Sequence, residues 1–150
     1  MPTSTTLVPA TTDDIPALLK FMEAFNAIDG YPFDAHERER IARTLLGDTG
    51  LGRVWMVDRQ GTIAGYLVLA FGFSFEYGGR DAFIDEFHLE PEHRGKGVGT
   101  HVMAEVARLA RELGVRTLHL EVEEHNLAGL RLYKRQGFEF RGRRLLSRPL

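Results

Sequence analysis

The sequence contains no cysteine, no long apolar run and no excess of charge of one sign. The lack of cysteine excludes a disulfide framework and a cysteine nucleophile. A formal net charge of −2 gives no basic surface for nucleic acid, so we expect no nucleic-acid partner. No apolar run reaches the roughly 18 residues that a membrane-spanning helix needs, so we expect no membrane insertion.

Other patterns are missing as well. The six histidines do not fall into a metal-ligand spacing, so no metal site is predicted. The first residues show no basic segment followed by an apolar core, so we expect no signal peptide and a cytoplasmic protein. With 150 residues, 43% of them hydrophobic, the chain is long enough for one core, and we expect a single domain over 1–150.

Apolar residues recur at helical spacing in some segments and form short β-type runs in others. Asp13 or Asp14 is expected to cap the first helix; Asp34, with Glu37 placed as in a capping box, is expected to begin the second. The predicted order is β-α-α-β-β-β-α-β-α-β-β, an α/β fold with a mixed sheet covered by helices. The strands are predicted at 6–8, 54–57, 62–71, 82–89, 117–122, 138–140 and 144–147, and the helices at 15–28, 34–47, 98–113 and 127–135.

A glycine-rich turn follows the apolar strand at 82–89 and opens the helix that begins near Val98. Such a turn presents several free backbone N–H groups beside the positive end of the helix dipole, and this favours an anion such as a pyrophosphate. Glycine permits positive φ and a close approach to the phosphate. The candidate cofactor-binding residues here are Arg94, Gly95, Lys96, Gly97, Val98, Gly99 and Thr100.

Two motifs carry a family resemblance. Arg94-x-x-Gly97-x-Gly99 resembles the coenzyme A loop of the GNAT superfamily of N-acetyltransferases. Asn126, followed by Leu132-Tyr133 and Gly137-Phe138, resembles the second signature of that superfamily, with Gly129 where alanine is usual. Residues 78–97 also resemble the polyamine and thialysine acetyltransferase branch, where a Gly-Arg pair precedes a strand with two adjacent acids.

The resemblance implies acetyl-CoA as cofactor and acetyl transfer to an amine. It implies that Phe87 and Leu89 use their main chain to bind the acetyl and pantetheine groups, and that Asn126 both caps its helix and contacts the cofactor. It also implies that Tyr133 is the general acid for the departing thiolate. With no cysteine and no serine in a nucleophile motif, direct transfer in a ternary complex is expected.

A base must deprotonate the amine before it can attack. Asp85 and Glu86 are the candidates, and regular alternation would place adjacent residues on opposite faces of a strand. The resemblance to the polyamine branch favours Asp85, acting through a water. Alternation also puts Asp85 on the face of Phe87 and Leu89. Glu86, a base from another strand, or no base at all remain alternatives.

The acceptor is expected to be a cationic primary amine of a small molecule, bound by acids and aromatic residues. The candidate residues are Tyr31, Glu76, Tyr77 and Glu86. Peptide N-termini, lysine side chains and aminoglycosides are alternative acceptors. A non-catalytic acyl-CoA-binding module is the alternative function, because a fold does not fix an activity. The resemblance also implies a homodimer, formed through residues 67–75 or through the C-terminal strand.

Overall fold

The computed structural model describes residues 4–150. Five strands, four α-helices and two short 3₁₀ turns make up its regular structure. In chain order they are β1 (Thr5–Pro9), a 3₁₀ turn (Thr12–Asp14), α1 (Ile15–Ile28), α2 (Ala35–Leu46), β2 (Gly52–Arg59), β3 (Thr62–Ser74), β4 (Gly79–Leu89), a second 3₁₀ turn (Pro91–His93), α3 (Val98–Glu112), β5 (Thr117–Leu120) and α4 (Leu127–Arg135).

The strands form one mixed sheet in the order β1-β2-β3-β4-β5. Neighbours are antiparallel from β1 to β4, whereas β4 and β5 are parallel. A parallel pair needs a crossover, and α3 supplies it. The predicted mixed α/β sheet is therefore confirmed, with the strand–helix order of the first nine predicted elements.

Two apolar cores lie on opposite faces of the sheet. In β2 the run Val54-Trp55-Met56-Val57 alternates between them, which is why it reads as a continuous apolar segment. The larger core packs β2–β4 against the apolar face of α3, including Val102 and Val106. The smaller core packs the other face, with Tyr66 of β3, against α1.

The predicted interactions at the helix N-termini are only partly present. Asp34 caps α2, because its carboxylate accepts from the Glu37 N–H at 3.1 Å, but the Glu37 side chain pairs with Arg40 instead of completing a capping box. A capping box is present at the first 3₁₀ turn, two elements earlier. There the Thr11 hydroxyl accepts from the Asp13 N–H, and the Asp14 carboxylate accepts from the Thr11 N–H at 2.8 Å. Thr11 therefore opens the 3₁₀ turn that leads into α1.

The predicted closing pair of strands is wrong. Residues 138–150, all of them within the described part of the chain, form neither strand nor helix. Gly142 has φ +74, which interrupts an extended backbone, and Phe140, Leu145 and Leu146 are exposed. The segment is attached through a side chain instead, because Arg143 makes a two-pronged ion pair with Glu76 at 2.7 Å.

The two surfaces predicted for a dimer differ from the expectation: most of one is buried, and the other does not form a strand. Leu67 and Leu69 are fully buried in the core, so only the end of that segment, Phe73 and Phe75, is exposed. The C-terminal strand that would have offered the second surface does not form. The homodimer stays a prediction.

Candidate active site

A cleft opens where β4 and β5 separate. Their pairing ends at Ile84 and Leu120, although β4 continues to Leu89. The cleft has a volume of about 260 Å³. Its lining comes from α1, the α1–α2 loop, β4, the segment after β5, and α4: Phe25, Asp29, Tyr31, residues 84–87, residues 120–123, Asn126 and Tyr133.

A β-bulge places both adjacent acids in this cleft. Val68 of β3 is opposite Glu86, and the next residue, Leu69, is opposite Ile84, so Asp85 is the extra residue on β4. The bulge breaks the alternation along the strand. Ile84, Phe87 and Leu89 therefore all pack on the α3 side. The prediction that Asp85 shares a face with Phe87 and Leu89 is wrong for this reason, and Asp85 and Glu86 line the same cleft.

The glycine turn lies beyond the end of β4. Gly95 and Gly97 have φ values of +70 and +79, and Gly97 is the N-cap of α3 in the left-handed conformation. Any other residue except asparagine or aspartate would be strained there. Arg94 is anchored to the strand, because its Nε donates to the Leu89 carbonyl at 2.8 Å. The Val98 side chain is buried in the core, so Val98 can offer a ligand only its N–H.

The start of α4 forms another wall of the cleft. Asn126 caps this helix, as predicted, because its Oδ1 accepts from the Gly129 N–H at 3.0 Å. A Cβ on Gly129 would lie 2.6 Å from the Asn126 side chain, which explains why glycine suits this position. Tyr133 lies about one helix turn beyond Gly129 and packs edge-on against Phe138. Burial raises the pKa of the Tyr133 phenol, so the hydroxyl keeps its proton at neutral pH.

Glu86 is held by two partners, and Asp85 is not. Arg38 of α2 donates to Glu86 Oε2 at 2.9 Å, and the Tyr66 hydroxyl donates to Oε1 at 2.9 Å. Burial raises the pKa of Tyr66, followed by the nearby Glu86 charge, so Tyr66 stays a donor. Within residues 4–150, Asp85 and Glu121 are cleft carboxylates that form no ion pair or side-chain hydrogen bond.

Two side-chain contacts bridge the rim of the cleft. The Tyr31 hydroxyl donates to Glu123, and this hydrogen bond raises the pKa of Tyr31. His125 Nε2 lies 2.9 Å from Asp29 Oδ1. Both contacts join the α1–α2 loop to the segment after β5. They connect two of the segments that line the cleft.

His88 lies beneath the cleft on β4 and is buried among Phe21, Phe25 and Tyr66. Burial, with a smaller contribution from Arg94, lowers the pKa of His88 to about 4. The imidazole is therefore neutral at physiological pH. It packs as an aromatic ring and does not act as a cation toward the cleft.

Glu76 and Tyr77 do not reach the cleft, contrary to the prediction for acceptor binding. They lie in the β3–β4 turn, at the opposite end of β4 from Asp85. Glu76 pairs with Arg143, and Tyr77 packs against His119 at 4.7 Å between ring centroids. Of the predicted acceptor residues, the structure brings together Tyr31 and Glu86.

Sequence reasoning missed Arg38, Tyr66 and Glu123. Arg38 and Glu86 are 48 positions apart, and no local pattern marks such a pair. Tyr66 reads as an ordinary core residue of a strand. In the sequence, Arg38 is one of several charged residues of a polar helix, and nothing else marks it as part of the site.

A larger hollow of about 430 Å³ lies between the start of α1 and the side of α2, lined by residues that include Asp13, Glu39 and Arg43. It has no lining from β4, β5 or the glycine turn, so it is remote from the predicted chemistry. In the described chain, no group of three histidines and acids could hold a metal ion. Among residues 4–150, every helix is too short or too polar to cross a bilayer.

The mixed sheet that separates between β4 and β5, with a glycine turn and its free N–H groups at the start of α3, agrees with the fold that the resemblance to the GNAT superfamily implies. The sequence profile described as "Acetyltransferase (GNAT) family" matches residues 18–138. The chain belongs to this family. The predicted membership is thereby confirmed.

Solved structures of similar proteins have the same fold. An integron cassette protein from the Cole Harbour salt marsh metagenome is 36% identical, with a TM-score of 0.85 over 96% of this chain and 90% of that one. A protein from Clostridium acetobutylicum that is described as a predicted acetyltransferase, and was solved with acetyl-CoA, shares the fold at 20% identity, with a TM-score of 0.80 over 97% of this chain and 96% of that one.

Curated relatives match shorter segments. Streptothricin acetyltransferase of Streptomyces lavendulae is 35% identical over 57% of this chain and 43% of that protein. Thialysine N-epsilon-acetyltransferase of Bos taurus is 32% identical over 50% of this chain and 44% of that protein. The chain thus spans less than half the length of these two relatives. The second one agrees with the resemblance to the thialysine branch.

Proposed function

We propose that the protein is an acetyl-CoA-dependent N-acetyltransferase that moves an acetyl group to a primary amine of a small molecule by direct transfer in a ternary complex. The observation that carries the proposal is the bulge at Asp85. It puts a carboxylate without an ion-pair partner into a cleft that also contains Tyr133. A base and an acid in one cleft are what acyl transfer to an amine requires.

The residues present fit acetyl-CoA. The left-handed backbone at Gly95 and Gly97, together with the free N–H groups of the first turn of α3, offers a site for its pyrophosphate. Past Ile84, the β4 edge that faces the cleft has no β5 partner among residues 4–150, so main-chain groups near Phe87 can bind the pantetheine. Asn126 lies on the opposite wall. When bound, acetyl-CoA would supply an activated acetyl thioester.

Asp85 is the base in this proposal, directly or through a water. It accepts one proton from the ammonium form of the acceptor, which leaves a neutral amine whose lone pair can attack the acetyl carbonyl. An alkyl amine with a pKa near 10.4 is mostly protonated at neutral pH, so this transfer is needed. Glu86 is a poorer candidate because Arg38 and Tyr66 occupy both of its oxygens.

Tyr133 is the acid. As the C–S bond breaks, its hydroxyl gives a proton to the departing thiolate. The amine nitrogen releases its second proton to solvent as the amide forms, and a proton from solvent restores the phenol. The raised pKa of Tyr133 keeps the donor protonated before the reaction. It also means that transfer becomes favourable only as negative charge builds up on sulfur.

The acceptor site favours a cation. Five carboxylates line or border the cleft: Asp29, Asp85, Glu86, Glu121 and Glu123. The ring of Phe25 adds an aromatic face, which attracts a cation. A small amine acceptor is supported by relatives named as thialysine and streptothricin acetyltransferases and as an L-amino acid N-acyltransferase.

Thiol release from acetyl-CoA, measured against polyamines, amino acids, aminoglycosides and short peptides, tests the proposal. Turnover with small cationic amines is expected, with Tyr133→Phe lowering kcat more than it weakens acetyl-CoA affinity. Tight binding of acetyl-CoA with no acceptor acetylated would favour a non-catalytic acyl-CoA-binding module. Turnover of peptides alone would move the substrate class to protein N-termini.

A further inference from the structure

Arg38 connects a polar helix to the floor of the cleft. It lies on α2, where Ala42 is the buried residue and most of the others are exposed. Its guanidinium nevertheless reaches Glu86 on β4 at 2.9 Å, and the two side chains are only 28% and 11% exposed. A helix with so little apolar burial contributes few other contacts at this point, so the ion pair stands out as a specific one.

The pair is embedded in a network. Arg38 Nη2 lies 3.4 Å from Oδ1 of Asn26, which is 3% exposed, and Tyr66 bonds the second oxygen of Glu86. The guanidinium is therefore fixed between α1 and β4. Glu86 in turn is directed toward α2 and β3 by both of its oxygens.

The surroundings of Glu86 are otherwise negative or neutral. Asp85 is adjacent on β4, Asp29 and Tyr31 come from the α1–α2 loop, Glu121 and Glu123 from the segment after β5, and Tyr133 from α4. His88 on the same strand is neutral because its pKa is about 4. Among the described residues that face Glu86, Arg38 is the one permanent cation. Without it, two adjacent carboxylates would share a partly buried site, which disfavours the ionised form of the pair.

We propose that Arg38 is a positioning residue that assigns the roles of the two adjacent acids: it pairs with Glu86 and so leaves Asp85 as the base. This rests on the proposed function, in which Asp85 deprotonates the acceptor. Arg38 acts through Glu86 and does not touch the reacting groups. Its effect is electrostatic, and it is separable from any effect on the packing of α2.

Side-chain carboxyl titration by carbon-13 NMR, in the full chain without ligand, tests this in Arg38→Met. We expect the Asp85–Glu86 pair to hold one proton to a pH about one unit higher than in the unsubstituted protein. The acid limb of the pH profile of kcat/KM should move by the same amount and in the same direction. Arg38→Lys keeps the charge and should leave both nearly unchanged.

The double variant Arg38→Met/Glu86→Gln is the deciding control. It removes the Glu86 carboxylate together with the Arg38 cation, so Asp85 no longer has an uncompensated negative neighbour. The titration of Asp85 and the acid limb of the kcat/KM pH profile should therefore return to their original positions. A merely structural role for Arg38 would lower activity without moving either titration. An unmoved titration in Arg38→Met, or a displaced one in the double variant, overturns the proposal.

Thermal unfolding checks that each variant folds. Arg38→Gln, which keeps a hydrogen-bond donor but no charge, replaces Arg38→Met should the latter fail to fold, with the same displacement expected. The NMR titration needs no turnover, so it stands even when no amine is acetylated. The proposed function has its own test: it fails if Asp85→Asn acetylates the amine at the rate of the unsubstituted protein.

Discussion

The two halves of the sheet differ in how completely they are paired and buried. Every residue of β2 has a partner in β3, and Val57, Ala64, Leu67 and Leu69 are fully buried there. In the other half β5 pairs with β4 only from Asp81 to Ile84, and β4 carries two adjacent acids at its bulge. A bulge alone does not distinguish the halves, because the β2–β3 pairing also shifts register between Val57 and Asp58.

This difference separates stability from chemistry. The paired half is held by apolar burial on both faces, which tolerates few changes. The open half exposes backbone groups and carboxylates that a purely stable sheet would pair or exclude. Sites of this kind are expected where a ligand supplies the missing partners. The following substitutions test whether the two roles are separate.

The largest expected effect is on the reaction, at the bulge. Asp85→Asn should lower kcat/KM for the amine by about 10²–10⁴-fold, because the cleft loses its general base, while acetyl-CoA affinity and the unfolding temperature change little. Steady-state kinetics and calorimetry measure the two. Glu121→Gln is the matched control: it removes the other unpaired cleft carboxylate, and it should raise KM for a cationic amine more than it lowers kcat.

A substitution in the paired half should do the opposite. Leu67→Ala removes a fully buried side chain of β3 and should lower the free energy of unfolding by about 2–5 kcal/mol. Acetyl-CoA affinity of the folded protein should stay the same. Phe83→Ala on β4, where the side chain is 39% exposed, should cost less, about 1–2 kcal/mol. Equal losses at the two sites, measured by urea unfolding, would remove the distinction.

His88, on β4 opposite Tyr66 of β3, should make the stability of the protein depend on pH. Its pKa is about 4 in the folded protein and about 6.5 when unfolded, so the unfolded chain binds more protons between these values. Stability should be fully present above about pH 6.5 and should fall by about 3 kcal/mol as the pH drops to about 4. His88→Phe keeps the ring packing and should flatten this slope in urea unfolding at several pH values. His36→Gln, on the exposed face of α2, should leave it as it was.

The smallest expected effect is at the glycine turn. Gly97→Ala should strain the left-handed backbone by about 1–2 kcal/mol and weaken acetyl-CoA binding by about tenfold. Gly114→Ala is a matched control, because Gly114 has φ +82 just past the other end of α3. It should lower stability to a similar degree and leave the affinity unchanged. Isothermal titration calorimetry of both variants would show whether the turn has a binding role beyond its backbone shape.

Sequence patterns predicted best the features that depend on neighbouring residues. The start of α3 follows from the glycine turn at Gly97, and the cap of α4 follows from Asn126. Each of these features depends on residues a few positions apart. The buried strands followed from their apolar runs, as in β2.

Features set by pairing across the chain were missed. The face of Asp85 depends on a register shift against β3, which the sequence of β4 does not reveal. The C-terminal segment has strand-like apolar residues, but Gly142 and the run of arginines around it leave it attached by an ion pair to Glu76. Arg38 was overlooked because its partner is 48 positions away.

Amide chemical-shift changes during a titration with coenzyme A would test most directly whether the open half of the sheet is the binding half. We expect the largest changes in residues 85–89 and 94–100 and at Asn126 and Tyr133, and small ones in β1, β2 and the first part of β3. Changes centred on the hollow around Asp13 and Arg43, or spread evenly over the sheet, would contradict it.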